Sequence, residues 1–151
     1  MKCKVVWFGT LVTLAAGLTE TGFIAWLAGS LTPAFDGLGL PAAVIAIVGT
    51  FFVLHYFFAS ITAHTATLLP VFLAIAVNIS DLPPVTWALL LGYSLGIMGL
   101  LTSYASGQIV IYYGSGYILR RDLWVLGFVV SAIFLTIYLA IGVPWLSWLY
   151  L

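Results

Sequence analysis

Charge is almost absent from this sequence. Its 151 residues include 4 Lys or Arg and 4 Asp or Glu, so charged residues make up only 5% and the formal net charge is zero. A soluble domain carries about a quarter charged residues. So few ionic groups cannot cover the surface of a 16.3 kDa globule, which excludes an ordinary water-soluble fold. No basic field exists to attract nucleic acid. Cysteine is present only as Cys3. That excludes an internal disulfide and a thiolate metal cluster, and leaves a small side chain near a membrane edge or a point of acylation. Metal-ligand spacing, a phosphate-binding glycine loop and a Ser/His/Asp set on a plausible scaffold are missing too, so the chain does not read as an enzyme.

What the sequence has is apolar length. Hydrophobic residues make up 64% and the mean hydropathy is +1.26. Lipid or other membrane helices must solvate such a chain, so the fold class is an all-α, multi-pass integral membrane protein. Charges lie near segment ends, at Lys2, Lys4, Asp36, Asp81, Arg120, Arg121 and Asp122. Glu20 is a partial exception, read as a cap, a pairing residue or a group facing a cavity. The start resembles a signal peptide, but no clear Ala-x-Ala cleavage site follows, so it is read as a retained helix.

Four membrane segments are predicted within a single transmembrane domain. A first helix covers 5–31, bent or broken at Glu20-Thr21-Gly22. Pro33, Asp36, Gly37 and Gly39 mark a loop. The apolar stretch 41–79 is too long for one span of about 20 residues. Either two spans meet inside it, or a re-entrant hairpin enters and leaves on the same side. Segment 84–118 reads as a discontinuous helix with an unwound polar middle, with Gly92, Gly96 and Gly99 suited to close packing. Arg120, Arg121 and Asp122 read as an aqueous turn, and 123–151 as the last helix, with Trp145, Trp148 and Tyr150 as an interfacial belt. Lys2, Lys4, Arg120 and Arg121 place both basic ends in the cytoplasm.

The functional signal lies in the two polar interruptions. Ala59-Ser60-Ile61-Thr62-Ala63-His64-Thr65-Ala66-Thr67 carries four hydroxyls, and Thr102-Ser103-Tyr104-Ala105-Ser106-Gly107-Gln108 carries four more and an amide. Neither contains Lys or Arg. A helix N-terminus inside the membrane offers free N–H groups and about half a positive charge, which suits a carboxylate. Freed carbonyls at the opposite kind of end suit Na⁺. Single hydroxyls in membrane helices also bond backbone carbonyls or join helices; two clusters coinciding with two helix breaks favour a ligand. His64 lies beside the first cluster and is a candidate donor to a carboxylate. His55, nine residues earlier, reads as a structural histidine away from the cluster.

At these interruptions the chain resembles the divalent anion/sodium symporter family of di- and tricarboxylate transporters. Phe57-Phe58-Ala59-Ser60-Ile61-Thr62-Ala63-His64-Thr65 is similar to the family's second Ser-Asn-Thr signature, at a hairpin tip. Tyr104-Ala105-Ser106-Gly107-Gln108, followed by Tyr112-Tyr113-Gly114, is similar to the loop of its last broken helix in the oxoglutarate/malate translocator and citrate or tartrate exchanger branch. The resemblance implies a re-entrant hairpin and a discontinuous helix, forming the second repeat of an inverted-repeat, elevator-type homodimer in the cell (inner) membrane. It implies small carboxylate anions of the malate, 2-oxoglutarate, tartrate, succinate or citrate class as substrate. Ser60 and Thr62 match the signature's substrate-binding positions, and Ser106 and Gly107 the loop facing substrate. With His64 and Gln108 they form the expected substrate-binding set. In sodium-coupled members, Na⁺ would lie near Ser60, Ser106 and Gly107. Two departures, Ile61 in place of the signature's Asn and Gly107-Gln108 in place of a Pro-rich loop, are shared by the exchanger branch and favour anion exchange. Family members are much longer, so the expectation is a C-terminal part with the N-terminal repeat missing. The alternatives are a truncated, non-transporting membrane protein and a subunit needing a separately encoded first half.

Overall fold

A computed structural model describes residues 13, 17, 20–58, 60–79 and 82–150. The expectations for Lys2, Cys3, Lys4, Asp81 and most of the helix before Glu20 lie outside these residues. Among the described residues the regular structure is all helical. Glu20 is exposed. Gly22 adopts φ 75°, a left-handed conformation that side chains resist, and helix α1 starts after it, over Phe23–Leu31. The following loop contains a short 3₁₀ turn, Thr32–Ala34, and Gly37 at φ 76°.

Helix α2, Leu40–Val53, opens with Pro41 in its first turn, where a missing N–H costs nothing. It tightens into a 3₁₀ turn, Leu54–Phe57, and ends at Phe58 in extended conformation. Helix α3 then runs over Ile61–Ile79 with Pro70 inside it. Pro70 has no N–H, so the Ala66 carbonyl loses its usual helical donor. Helix α4, Pro84–Met98, follows, then an irregular stretch through Ser106 and a short helix α5, Gly107–Gly114.

Helix α6 spans Arg120–Ile137. Arg120, Arg121 and Asp122 are thus not an aqueous turn but the first turn of this helix. Arg is a good helix former, Leu119 supplies an extended N-cap, and Asp122 complements the positive helix start. A π turn, Tyr138–Gly142, joins α6 to helix α7, Val143–Tyr150. Its cause is Pro144, which cannot donate to Ala140; the Val143 N–H bonds Tyr138 O, five residues back. Such π bulges arise where the regular ladder is interrupted.

Among the described residues, three helical stretches are long and apolar enough to cross a membrane: Leu40–Phe57, Ile61–Ile79 and Arg120–Leu146. Helix α4 is the hub, in contact with α2, α3, α6 and α7, while α1 lies on α3. Its packed face is Trp87, Leu90, Leu91, Ser94 and Met98, all fully buried. Against it lie Ile47, Val48 and Phe51 of α2 and Val71, Phe72 and Ile75 of α3. In a membrane this contact is held by close van der Waals fit more than by water exclusion. The Tyr138 hydroxyl adds a hydrogen bond to the Leu90 carbonyl at 2.7 Å. By contrast, α6 turns Val125, Leu126, Phe128, Val129, Ile133 and Phe134 outward.

Two glycines correct the expected packing face of α4. A Cβ on Gly92 or Gly96 would meet nothing within 4 Å, so neither is a contact point here. The close approach lies at Gly99 and, on the facing helix, at Gly127, where an added Cβ would sit 2.5 Å from the Leu100 carbonyl oxygen.

Candidate functional site

Each polar interruption ends in a helix start. At the first, the extended backbone of Phe58 turns the chain out of the 3₁₀ turn, and the Ser60 carbonyl accepts the His64 N–H at 3.0 Å. Ser60 therefore sits at the N-cap position of α3, and the N–H groups of Ile61, Thr62 and Ala63 precede the first intrahelical bond. Thr65 is absorbed locally, its hydroxyl bonding the Ile61 carbonyl at 2.8 Å. At the second, two tight turns follow α4, with Leu101 N–H on Met98 O at 3.1 Å and Ala105 N–H on Thr102 O at 3.2 Å. Ser106 is then extended and N-caps α5 weakly, its Oγ accepting the Ile109 N–H at 3.5 Å. Leu101, Thr102 and Ala105 are buried. Irregular backbone is tolerable at membrane depth when protein covers it in this way.

The two starts come together. A Cβ on Gly99 would lie 3.2 Å from Ile61 Cδ1 and 4.0 Å from Ser106 Cβ, so one glycine separates the first residue of α3 from the cap of α5. The Tyr104 hydroxyl donates to the Tyr56 carbonyl at 2.9 Å and ties the loop before α5 to the turn before α3. Trp124 of α6 braces the joint, stacked on Tyr56 at 6.3 Å and edge-on to Tyr104 at 6.1 Å. Two positive helix ends thus share one corner of the bundle.

The expected site residues take different places. Thr62 and Gln108 are exposed, Ser60 and Ser106 half-buried, and Gly107 is the first residue of α5. His64 instead is fully buried, its ring 4.4 Å from Phe51 and 5.1 Å from Phe58. His55, read from sequence as remote, is its neighbour: the rings lie 5.1 Å apart, edge to face, and both are fully buried. The 3₁₀ turn and the break fold residue 55 back onto the first turn of α3, which spacing along the chain did not reveal. The Ala105 backbone comes close to His55. Among the described residues, no ring nitrogen of either histidine has a hydrogen-bond partner, nor does Thr102 Oγ1. A buried polar group left so costs about 1–3 kcal/mol, so this layer beneath the two helix starts holds unused hydrogen-bonding capacity.

Comparison with known proteins agrees with the two motifs. The family described as "Sodium:sulfate symporter transmembrane region" matches residues 4–151. The chain is 46% identical over 138 residues to a citrate/succinate antiporter of Escherichia coli (strain K12), covering 91% of this chain and 28% of that protein. It is 39% identical over 140 residues to an L-tartrate/succinate antiporter of the same strain, covering 93% of this chain and 29% of that protein. The chain thus spans under a third of the length of these relatives.

Proposed function

Because the chain belongs to the family of the sodium:sulfate symporter transmembrane region, we propose that it forms one wall of the substrate site in a carrier exchanging di- or tricarboxylate anions across the membrane. The observation that carries this reading is the meeting of two helix N-termini, at Ile61 and Gly107, with no Lys or Arg in either break. Each end presents free N–H groups and about half a positive charge. Two such ends suit a dianion such as succinate, malate, tartrate or 2-oxoglutarate, or a tricarboxylate such as citrate, without the tight hold of a salt bridge. A carrier must release what it binds.

In this reading Ser60 and Ser106 supply hydroxyls at the two caps. Thr62 and Gln108 extend the donor set from the first turns. Gly107 brings no side chain that could cover its backbone N–H. His64 lies beneath the tip and meets a carboxylate only when the tip moves. Exchange is preferred over sodium symport because Ile61 and Gly107-Gln108 match the exchanger branch, and because both relatives are antiporters by name. Helices α2 and α3 act as a re-entrant hairpin, which moves with α4 and α5 as the transport unit of an elevator-type dimer. Labelling Gly39→Cys and Asn78→Cys with an impermeant thiol reagent tests the hairpin. Both sites should label from one side; opposite sides would mean two spans.

The transport reading is tested in a chimera. This chain replaces the matching segment of the E. coli citrate/succinate antiporter, and exchange of labelled citrate for succinate is measured in vesicles, with membrane content followed by immunoblot. The chimera should exchange. Ser60→Ala and Ser106→Ala should each cut the rate at least tenfold at unchanged membrane content. Full exchange in both variants refutes the site, and uptake that requires Na⁺ refutes exchange as the mechanism.

A further inference from the structure

Away from the two helix starts, α6 and the loops flanking α5 enclose an apolar groove of about 180 Å³, lined by Leu100, Ile109, Ile118, Leu123, Leu126, Gly127 and Val130. Gly127 shapes its floor, because the missing side chain lets α6 approach the Leu100 carbonyl. Leu126 is 59% exposed, so the groove opens onto the outward, apolar side of α6.

The groove has a charged mouth. Arg120, Leu123, Gly127 and Val130 follow the three-and-four spacing of one helix face, so Arg120 heads the stripe that lines the groove. Its Cα–Cβ bond tilts toward the helix start, away from the hydrocarbon. Arg121 sits beside it on the next face, and both are exposed. Among the described residues, neither arginine side chain has an ion pair or hydrogen bond. Asp122 is the only acidic residue in that turn. Positive charge places this end at the cytoplasmic surface, whose leaflet is rich in anionic lipid.

We propose that this groove is a binding site for one anionic phospholipid, with an acyl chain along Leu123, Leu126 and Val130 and the headgroup phosphate on Arg120. Charge decides the occupant. A zwitterionic lipid such as phosphatidylcholine also brings a phosphate, but its own ammonium offsets it and weakens the attraction to Arg120, and a free phosphate would match Arg120 but leave the groove empty. The site also lies on the face of α6 that meets the loop leading to Ser106, so its occupant braces that loop from outside. The proposal is independent of which anion the protein carries.

The test is lipid retention by the purified protein, read by native mass spectrometry after exchange into phosphatidylcholine vesicles containing 20% phosphatidylglycerol. One phosphatidylglycerol should be retained in preference to phosphatidylcholine. Arg120→Gln should weaken that preference roughly fivefold, the effect of one basic side chain at an anionic surface. Val130→Phe, which fills the groove with its charge intact, should displace the lipid. Arg121→Gln, off the stripe, should have a smaller effect than Arg120→Gln. Equal losses in the two arginine variants with Val130→Phe unaffected would mean diffuse surface attraction and overturn the site. So would displacement of the lipid by millimolar inorganic phosphate, which would show a headgroup site alone. A second copy covering the groove, seen as a Leu126→Cys disulfide dimer that excludes phosphatidylglycerol, would overturn it as well.

Discussion

Replacing Gly127 with Ala should destabilise the protein, whereas the same change at Gly96 should stabilise it. Neither glycine has a positive φ, so alanine fits both backbones. In an open helical position Gly→Ala gains up to about 1 kcal/mol from helix propensity. At Gly96 nothing lies within 4 Å of the new Cβ, so that gain is realised. At Gly127 the Cβ would sit 2.5 Å from the Leu100 carbonyl oxygen, with the Leu101 oxygen at 3.6 Å. Ordinary contact begins near 3.4 Å, so helix and loop must separate by roughly 0.9 Å, the difference between 3.4 and 2.5. The obstacle is backbone, which cannot swing aside as a side chain can. Overpacking of this kind costs about 1–3 kcal/mol and outweighs the propensity gain. Thermal unfolding in detergent, followed by tryptophan fluorescence, should show Gly127→Ala melting a few degrees below the parent and Gly96→Ala at or above it. If Gly127→Ala melts as high as Gly96→Ala, α6 does not approach the Leu100–Leu101 backbone as described.

Two further outcomes follow from the same packing. Tyr104→Phe removes the 2.9 Å bond to the Tyr56 carbonyl that ties the two breaks; it should cost about 0.5–1.5 kcal/mol in unfolding and raise hydrogen exchange at residues 102–109, and unchanged exchange would show that the tie is not formed. Pro144→Ala restores the donor for Ala140 and should convert the Tyr138–Gly142 π turn to regular α-helix, seen as a protected amide at position 144; a rapidly exchanging amide there would mean that something other than Pro144 holds the π turn.

Much of this was legible along the chain. Scarcity of charge required a membrane. The breaker-rich loop after Leu31 follows from its proline and glycines. The first polar interruption, read over 59–67, is narrower than expected, because the chain is helical again from Ile61, with the Thr65 hydroxyl satisfied on the Ile61 carbonyl. The second interruption was legible at 102–108, but the helix before it already ends at Met98, and both family motifs fall at these breaks. What was misplaced depended on direction around a helix. Arg120 to Asp122 were charged enough to read as a turn, yet they have good helix propensity and an extended residue before them, so they begin α6. Segment 123–151 was read as one uninterrupted helix; that Pro144 produces a π turn inside it depends on the flanking helical residues staying in register. His55 read as remote because nine residues separate it from His64; the 3₁₀ turn brings the two rings together.

The sequence by itself determined membrane residence, helical class, the two polar breaks and the family. Those properties follow from composition and local chemistry: a chain with so few charges has one solvent, and groups such as Ser60 or Ser106 interrupt an apolar run wherever it folds. Only the tertiary structure decided that the starts of α3 and α5 meet across Gly99, that the two histidines share one buried layer, and that Gly127 rather than Gly92 or Gly96 is the close contact. The physical reason is that lipid and protein interior are both apolar. Hydrophobic periodicity therefore does not mark which face of a membrane helix turns to its neighbour, and that choice is made by shape when the helices pack.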